Sequence, residues 1–351
     1  MNRIFRQMGV ALLIAFGGAT ASMGQGFMEV VRENEAHSFG EAIPVGNYSG
    51  IAHVGGDLYA LVSDKGERGE VVFVRMAFDA ASGDIVSVSH AFTLPTGEGN
   101  HDNEDIVYRA DSRSFFIAQE EDNVVREFAA DTIAANGSLS ATGYVLPLPI
   151  AQERVYANRG LESLAYDNVT KTFYSVTECP LQGDGELATS DNGALQRLRI
   201  MESGADGNVR QYAYMMDNAE TSATDKQFVA GVSALASLGS GRLLVLEREA
   251  HVPEEYLGAF SVMRLYAVDV SGADDVSSLD ALASDAPYVG KHLLFEWRTS
   301  LGLLDLGFAN YEGICLGPQL EDGSQVIVLV SDSQNRYMGV LSDWFKTIVV
   351  R

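Results

Sequence analysis

Glu162-Ser163-Leu164-Ala165, a turn at Asp167-Asn168, then Phe173-Tyr174-Ser175-Val176-Thr177-Glu178: this stretch is one unit of a pattern that recurs along the chain. Ser49-Gly50-Ile51-Ala52 leads in the same way to Leu58-Tyr59-Ala60-Leu61-Val62-Ser63-Asp64. Glu104-Asp105-Ile106-Val107 leads to Phe115-Phe116-Ile117-Ala118-Gln119-Glu120, and Ser233-Ala234-Leu235-Ala236 to Leu243-Leu244-Val245-Leu246-Glu247. The last unit joins Glu312-Gly313-Ile314-Cys315 to Val326-Ile327-Val328-Leu329-Val330-Ser331-Asp332. Each unit reads as a β-hairpin, two apolar runs joined by a Gly/Asp/Asn turn. The second run is almost unbroken in apolar residues, as in a strand buried on both faces. Each run then stops at an acid.

A more amphipathic pair of strands follows each hairpin: 71–78 with 86–94, 124–129 with 143–148, 195–200 with 209–216, and 265–270 with 292–297. Four strands per unit, the first pair buried and the second half-exposed, describe the blade of a β-propeller. The sequence therefore predicts an all-β fold, a propeller of five or six four-stranded blades around a central channel. A sixth blade would pair 28–32 with 347–350 and so close the open sheet edge. The growing spacing between units implies loop insertions at 217–228 and 252–260. No long segment has a 3.6-residue period, so helix content is expected to be low. A two-domain β-sandwich is the competing architecture.

Outside the repeats, the first 21 residues have the parts of a secretory signal: Arg3 and Arg6, an apolar run from Met8 to Phe16, and Ala19-Thr20-Ala21 as a small-x-small cleavage site. The cut is expected between residues 21 and 26, leaving 27–351 as a single domain in the periplasm or outside the cell. An uncleaved anchor helix is the alternative. No later stretch is long and apolar enough to cross a bilayer. The chain has a formal charge of −24. That argues against nucleic acid and anionic membranes as partners. A monomer without a stable membrane anchor is expected. Cys179 and Cys315 do not make a disulfide framework and read as free thiols, and no zinc-ligand spacing is present.

The acids at the hairpin starts (Glu104, Glu162, Glu312) and hairpin ends (Asp64, Glu120, Glu178, Glu247, Asp332) recur at matching places. In a propeller the start and end of the innermost hairpin share one face, so these acids would crowd near the axis. Crowded carboxylates repel at low dielectric. They must be protonated, paired with Lys65, Arg159, Arg248 or Arg336, or gathered around a hard cation. Calcium takes six to eight oxygens in irregular geometry and suits the last option. The expected ligand set is Glu104, Glu162, Glu178, Glu247, Glu312 and Asp332. The bland alternative is that these acids cap strand ends and pair with the arginines. His53, His101 and His251 read as channel or loop residues, and Ser49 and Ser233 as turn formers. No nucleophile elbow is present.

At the same residues the sequence resembles the phytase-like family, also called the esterase-like activity of phytase family. The matching pieces run from Ser49-Gly50-Ile51 with Ser63-Asp64, through Asn103-Glu104-Asp105-Ile106 and Asn158-Arg159-Gly160-Leu161-Glu162 with Thr177-Glu178, to Gly231-Val232-Ser233 with Leu246-Glu247-Arg248 and Asn310-Tyr311-Glu312-Gly313-Ile314 with Ser331-Asp332. The resemblance implies a propeller, export, and hydrolysis of a small-molecule ester or phosphoester with calcium. Arg159 and Arg248 would then stabilise developing negative charge, with Glu120 or Asp64 as general base. Asp105 and Ser163 stand where the family pattern favours glycine, and so acidic a chain lacks the lysine-rich surface that a polyphosphate such as phytate requires. Two other readings stay open. One is a non-catalytic binding propeller with a structural ion or salt-bridge ring. The other is a metal-dependent lactonase with Asn103, Asn158, Asn310 and Asn335 as co-ligands.

Overall fold

The computed structural model describes residues 28–222, 224–303 and 306–351, so the expected signal over residues 1–21 lies outside the described residues. Strands β1 (Val30–Glu33) and β2 (His37–Ser38) precede four consecutive antiparallel sheets and part of a fifth. Blade one is β3 (Tyr48–Gly55), β4 (Leu58–Ser63), β5 (Arg68–Phe78) and β6 (Ile85–Gly99). Blade two is β7 (Asn103–Arg109), β8 (Ser114–Gln119), β9 (Val124–Ala130) and β10 (Leu139–Val145). Blade three is β11 (Leu161–Asp167), β12 (Thr172–Thr177), β13 (Arg197–Ser203) and β14 (Val209–Met215). Blade four is β15 (Asp225–Gly239), β16 (Arg242–Pro253), β17 (Phe260–Asp269) and β18 (Lys291–Ser300). β19 (Asn310–Gln319), β20 (Gln325–Asp332) and β21 (Trp344–Val350) form blade five, and β1 completes it. The only helical elements among the described residues are three short 3₁₀ turns.

The propeller therefore has five blades. The expected pairing of the chain ends is present, with Val30 opposite Val350 and Glu33 opposite Ile348. It does not build a sixth blade: β1 is the outermost strand of the fifth. This closure is reinforced by Lys346 Nζ on Glu33 Oε1 (2.7 Å) and Asn34 Nδ2 on Thr347 Oγ1 (2.9 Å). Two further expectations shift. The outer strand of blade two is Leu139–Val145 rather than 143–148. The expected insertions in blade four are partly strand, because β15 and β16 continue as a paired ladder to Asp225 and Pro253.

The unbroken apolar runs have a direct explanation. Each second strand is sandwiched between two neighbouring blades, and its side chains alternate between them. Phe115 packs toward blade one and Phe116 toward blade three. Leu243 and Val245 pack toward blade three, Leu244 and Leu246 toward blade five. The core is thus five layers between blades, including the layer from blade five to blade one around Tyr59, Met76, Val328 and Phe345. Fully burying each such side chain is worth about 1.5–3 kcal/mol.

The first strands form the inner ring: β3 packs on β7, β7 on β11, β11 on β15, β15 on β19, and β19 on β3. All five carry a register shift at the same place. The skipped residues are Ser49, Glu104, Glu162, Ser233 and Glu312, the motif positions of the repeat. A bulge leaves one residue unpaired and re-aims its side chain. Where that residue is serine, it ties blades together: Ser49 Oγ donates to the Asn103 carbonyl (2.7 Å) and Ser233 Oγ to that of Tyr311 (3.0 Å). Asp105, in its glycine-favouring place, accepts the Leu164 N–H of the next blade at 2.7 Å. Gly50 is needed for close approach, since a Cβ there would stand 2.6 Å from the Asp105 Cα. Gly50→Ala should lower unfolding stability by about 1–3 kcal/mol through overpacking. Gly99→Ala, with nothing near its Cβ, should be close to neutral. Urea midpoints of the two variants check this, and equal midpoints would refute the inner-ring packing.

Candidate functional site

The bulges set one ring of side chains at the channel mouth: Ser49, Glu104, Glu162, Ser233 and Glu312. The ends of the second strands set another. Register identifies its members, because the residue one step beyond the partner of each pre-bulge residue is Asp64, Glu120, Glu178, Arg248 and Asp332. Blade four therefore contributes Arg248 where the others contribute an acid. Glu247 falls one residue short of that place and, with period-two alternation, faces the other way. It is buried between blades three and four, where its carboxylate accepts from Tyr214 Oη (2.7 Å), Lys291 Nζ (2.7 Å) and the Asp217 N–H (3.1 Å). The expected ligand Glu247 is thus absent from the acid cluster, and its partners leave it no free oxygen to offer.

The other expected residues do converge. Arg248 is only 5% exposed and stands at their centre. Its guanidinium donates to Glu178 and Glu312 and reaches Glu162 Oε1 at 3.1 Å. Arg159, about one third exposed, donates to the far oxygen of Glu178 at 2.7 Å. Asn310 Nδ2 donates to Glu312 Oε1 at 2.7 Å, and the Gln334 N–H to Asp332 Oδ1 at 2.7 Å. Glu120 Oε1 accepts the Gly160 N–H at 2.6 Å. Arg336 is not part of the cluster: it pairs with Asp343 at 2.7 Å.

Burial and crowding hold protons on this face. Burial raises Glu104 and Glu162 well above the usual carboxylate range, and neighbouring carboxylates add to the rise. Glu312 is pushed up to about 8 by burial, against the pull of Arg248. Asp332 is pushed up to about 6 by burial and the charge of Asp64. Asp64 and Glu120 are raised as well, chiefly by burial.

One corner of the face lacks a fixed counter-charge. Carboxylate oxygens of Asp64, Asp102 and Glu104 lie within 4.8 Å of one another. Glu104 is 7% exposed, and no hydrogen-bond donor among the described residues serves its carboxyl. Asp64 Oδ1 is buried without a partner. The one cation present is Lys65 Nζ, 2.8 Å from Asp64 and 3.1 Å from Asp102, on a side chain 54% exposed. Three hard oxygen donors, one of them with a buried and unpartnered oxygen, could hold a metal ion. Asp102 is a member that the repeat does not reveal. It sits at φ 60 two residues before Glu104, the place held by Asn47, Gly160, Gly231 and Asn310 in the other units, none of which is an acid.

The face opens on either side of the Asn158-Arg159-Gly160 segment. A cavity of ≈ 550 Å³ is lined by Asp64, Lys65, Asp102, Glu120, Asn123 and Asn158, among others. A second, of ≈ 410 Å³, lies over Arg159, Arg248, Glu312 and Asp332. The far end of the channel is apolar, lined by Ile51, Ile106, Leu164, Leu235 and Ile314. His53 lies there, stacked on Tyr59. His101 pairs with Glu121 at 2.9 Å, and His251 is enclosed between Asp225 and Glu249. Cys179 and Cys315 are free and buried, and burial raises both thiols.

No curated protein matches the sequence. Among solved structures, a luciferin-regenerating enzyme is similar at 11% identity and a TM-score of 0.42, covering 90% of this chain and 94% of that one. A streptogramin B lyase gives 11% and 0.37 over 90% and 98%. A periplasmic gluconolactonase of Pseudomonas aeruginosa gives 15% and 0.33 over 72% and 85%. Likeness this faint carries no functional weight, and the five sheets themselves define the propeller. The family profile described as "Phytase-like: Esterase-like activity of phytase" matches residues 43–334, which include all five inner-ring bulges and the whole acid cluster. The chain belongs to the phytase-like family, the esterase-like activity of phytase.

Proposed function

We propose that this protein is an exported hydrolase of small-molecule esters or phosphoesters, working with a calcium ion at the acid-lined end of its channel. The observation that carries the reading is the corner of Asp64, Asp102 and Glu104, hard oxygen donors that converge at the edge of an open cavity with a single exposed lysine as counter-charge. A cation held there supplies charge to an ester oxygen and acidity to a water. Lys65 Nζ bridges Asp64 and Asp102 from an exposed side chain, so a cation would compete with it for these oxygens.

The chain's own groups then divide the work. Arg159 keeps donor capacity beyond its bond to Glu178 and faces the second cavity, so it orients an anionic or polarised ester oxygen. Glu120 uses Oε1 for the Gly160 N–H and keeps Oε2 for a proton. Burial raises its affinity for protons, the direction a general base requires. Arg248 is already committed to three glutamates and serves as a positioning residue. That commitment also favours a second reading, a binding propeller whose axis is a salt-bridge ring.

Arg159→Ala should lower kcat/KM for the best ester by about 10²–10³-fold, and Glu120→Gln by about 10²–10⁴-fold, with melting temperatures little changed. Turnover unchanged in both would leave the salt-bridge ring as the better account. Calcium should raise the melting temperature saturably, Glu104→Gln should abolish that rise, and Lys65→Met should shift it to lower calcium. A calcium response indifferent to both substitutions would exclude this corner.

The pH dependence has a definite sign. Glu312 titrates at about 8 in the folded chain against 4.5 as its ordinary value, and Asp332 at about 6 against 3.8. Between those limits the folded state holds protons that the unfolded state has released, so stability falls as pH rises. In EDTA the melting temperature should decline from pH 5 to pH 8, and Glu312→Gln should flatten the decline. A flat profile for the parent protein would contradict the proton-holding cluster.

A further inference from the structure

The ≈ 410 Å³ cavity differs in kind from the rest of the acid face. Its floor is charged, formed by Arg159, Arg248, Glu312 and Asp332. Its walls are apolar and include Phe228, Tyr256, Leu301, Phe308, Tyr337 and Leu341. These come from the extended end of β15 and from three connections, β16–β17, β18–β19 and β20–β21. Tyr256 and Tyr337 meet across blades four and five with ring centroids 5.7 Å apart. Both remain nearly half exposed. The β18–β19 connection that supplies Leu301 and Phe308 also exposes Leu303 (84%) and Leu306 (55%). Exposed apolar side chains are normally scattered singly, and the paired Tyr256 and Tyr337 at the wall of a cavity depart from that. The cavity is within the ~300–1,000 Å³ range of small-molecule sites. The ≈ 550 Å³ cavity, in contrast, is lined mostly by carboxylates and amides.

We propose that this second cavity binds the apolar portion of the substrate, making the substrate class esters with an aryl or medium-length acyl or alkyl group. The ester group itself then lies over Arg159, at the divide between the two cavities. A polyanionic ring would set phosphates against Glu312, Asp332 and the aromatic walls, and is disfavoured at this site. The reacting chemistry rests on the hydrolase reading above. The cavity's preference stands or falls separately.

The test uses the mature chain with calcium and a 4-nitrophenyl ester series from acetate to octanoate. A parallel series runs from methyl to phenyl and naphthyl phosphate. Each methylene that enters the cavity should raise kcat/KM about fourfold, and Phe228→Ala and Phe308→Ala should flatten the slope. The series that shows the slope identifies the ester class. Cleavage at a rate indifferent to chain length or aryl size would overturn the cavity inference and leave the hydrolase reading intact. If no ester is cleaved, that reading fails, and calorimetry with methyl-, phenyl- and octylphosphonate decides the cavity. Tighter binding of the apolar phosphonates by about tenfold or more, lost in Phe308→Ala, upholds it. Equal binding, or none, overturns it.

Discussion

A single buried guanidinium holds the mouth of this propeller together. Arg248 stands against Glu162, Glu178 and Glu312, which come from two other blades, so blades three, four and five meet through one side chain. Removing one partner from such a group is costly, about 3–5 kcal/mol, because the remaining charges stay buried. Arg248 cannot neutralise the whole face. Glu104, Asp64 and Asp332 lie beyond its hydrogen bonds, and Lys65 and Arg159 reach only Asp64, Asp102 and Glu178. The face is therefore underpaired by construction, and it settles the deficit with protons or with a cation.

The bulge explains why the acids gather at all. In a regular strand, the residue that begins each hairpin would pair and point into an inter-blade layer. The extra residue in all five inner strands releases that position toward the axis instead. A site that looks like a chance concentration of charge is thus one backbone irregularity repeated five times. The two positions with serine show the structural use of the same irregularity, since each hydroxyl binds the neighbouring blade's carbonyl. The three with glutamate give up that latch and place a carboxyl at the axis.

That repetition is what made the fold readable. Apolar runs such as Val326–Val330 had to be buried on both faces, and turns at fixed distance had to join them. The propeller, its buried first pair of strands and the pairing of its ends all followed. Blade number was less legible, because nothing in residues 28–32 says whether β1 starts a new sheet or finishes one. The acid cluster was also legible, with one slip. Aligning units on the acid after the apolar run selects Glu247, but the bulge at Ser233 places Arg248 opposite Gly231 and in the ring. A strand read one residue out of register inverts every side chain, and periodicity cannot detect the error. Asp102 and the apolar walls escaped for another reason. The other units carry no acid at the place of Asp102, the apolar walls belong to connections that no other blade repeats, and only the fold brings them beside the motif residues.

The asymmetry of those connections turns a five-fold scaffold into a directional site. Blades one to three surround their cavity with carboxylates and amides. Blades four and five surround theirs with aromatic and aliphatic groups over a charged floor. Arg159 lies on the dividing segment and is the arginine of the cluster with substantial exposure. A molecule with a polar reacting group and an apolar tail can satisfy both sides in only one orientation. Reversal would bury the tail among Asp64, Asp102 and Glu120 and leave the polar group against Phe228 and Phe308. The desolvation cost of that mismatch is paid at both ends. Orientation is therefore set by the chemical contrast between two halves of the mouth, and the inner ring needs only to hold its charges still between them.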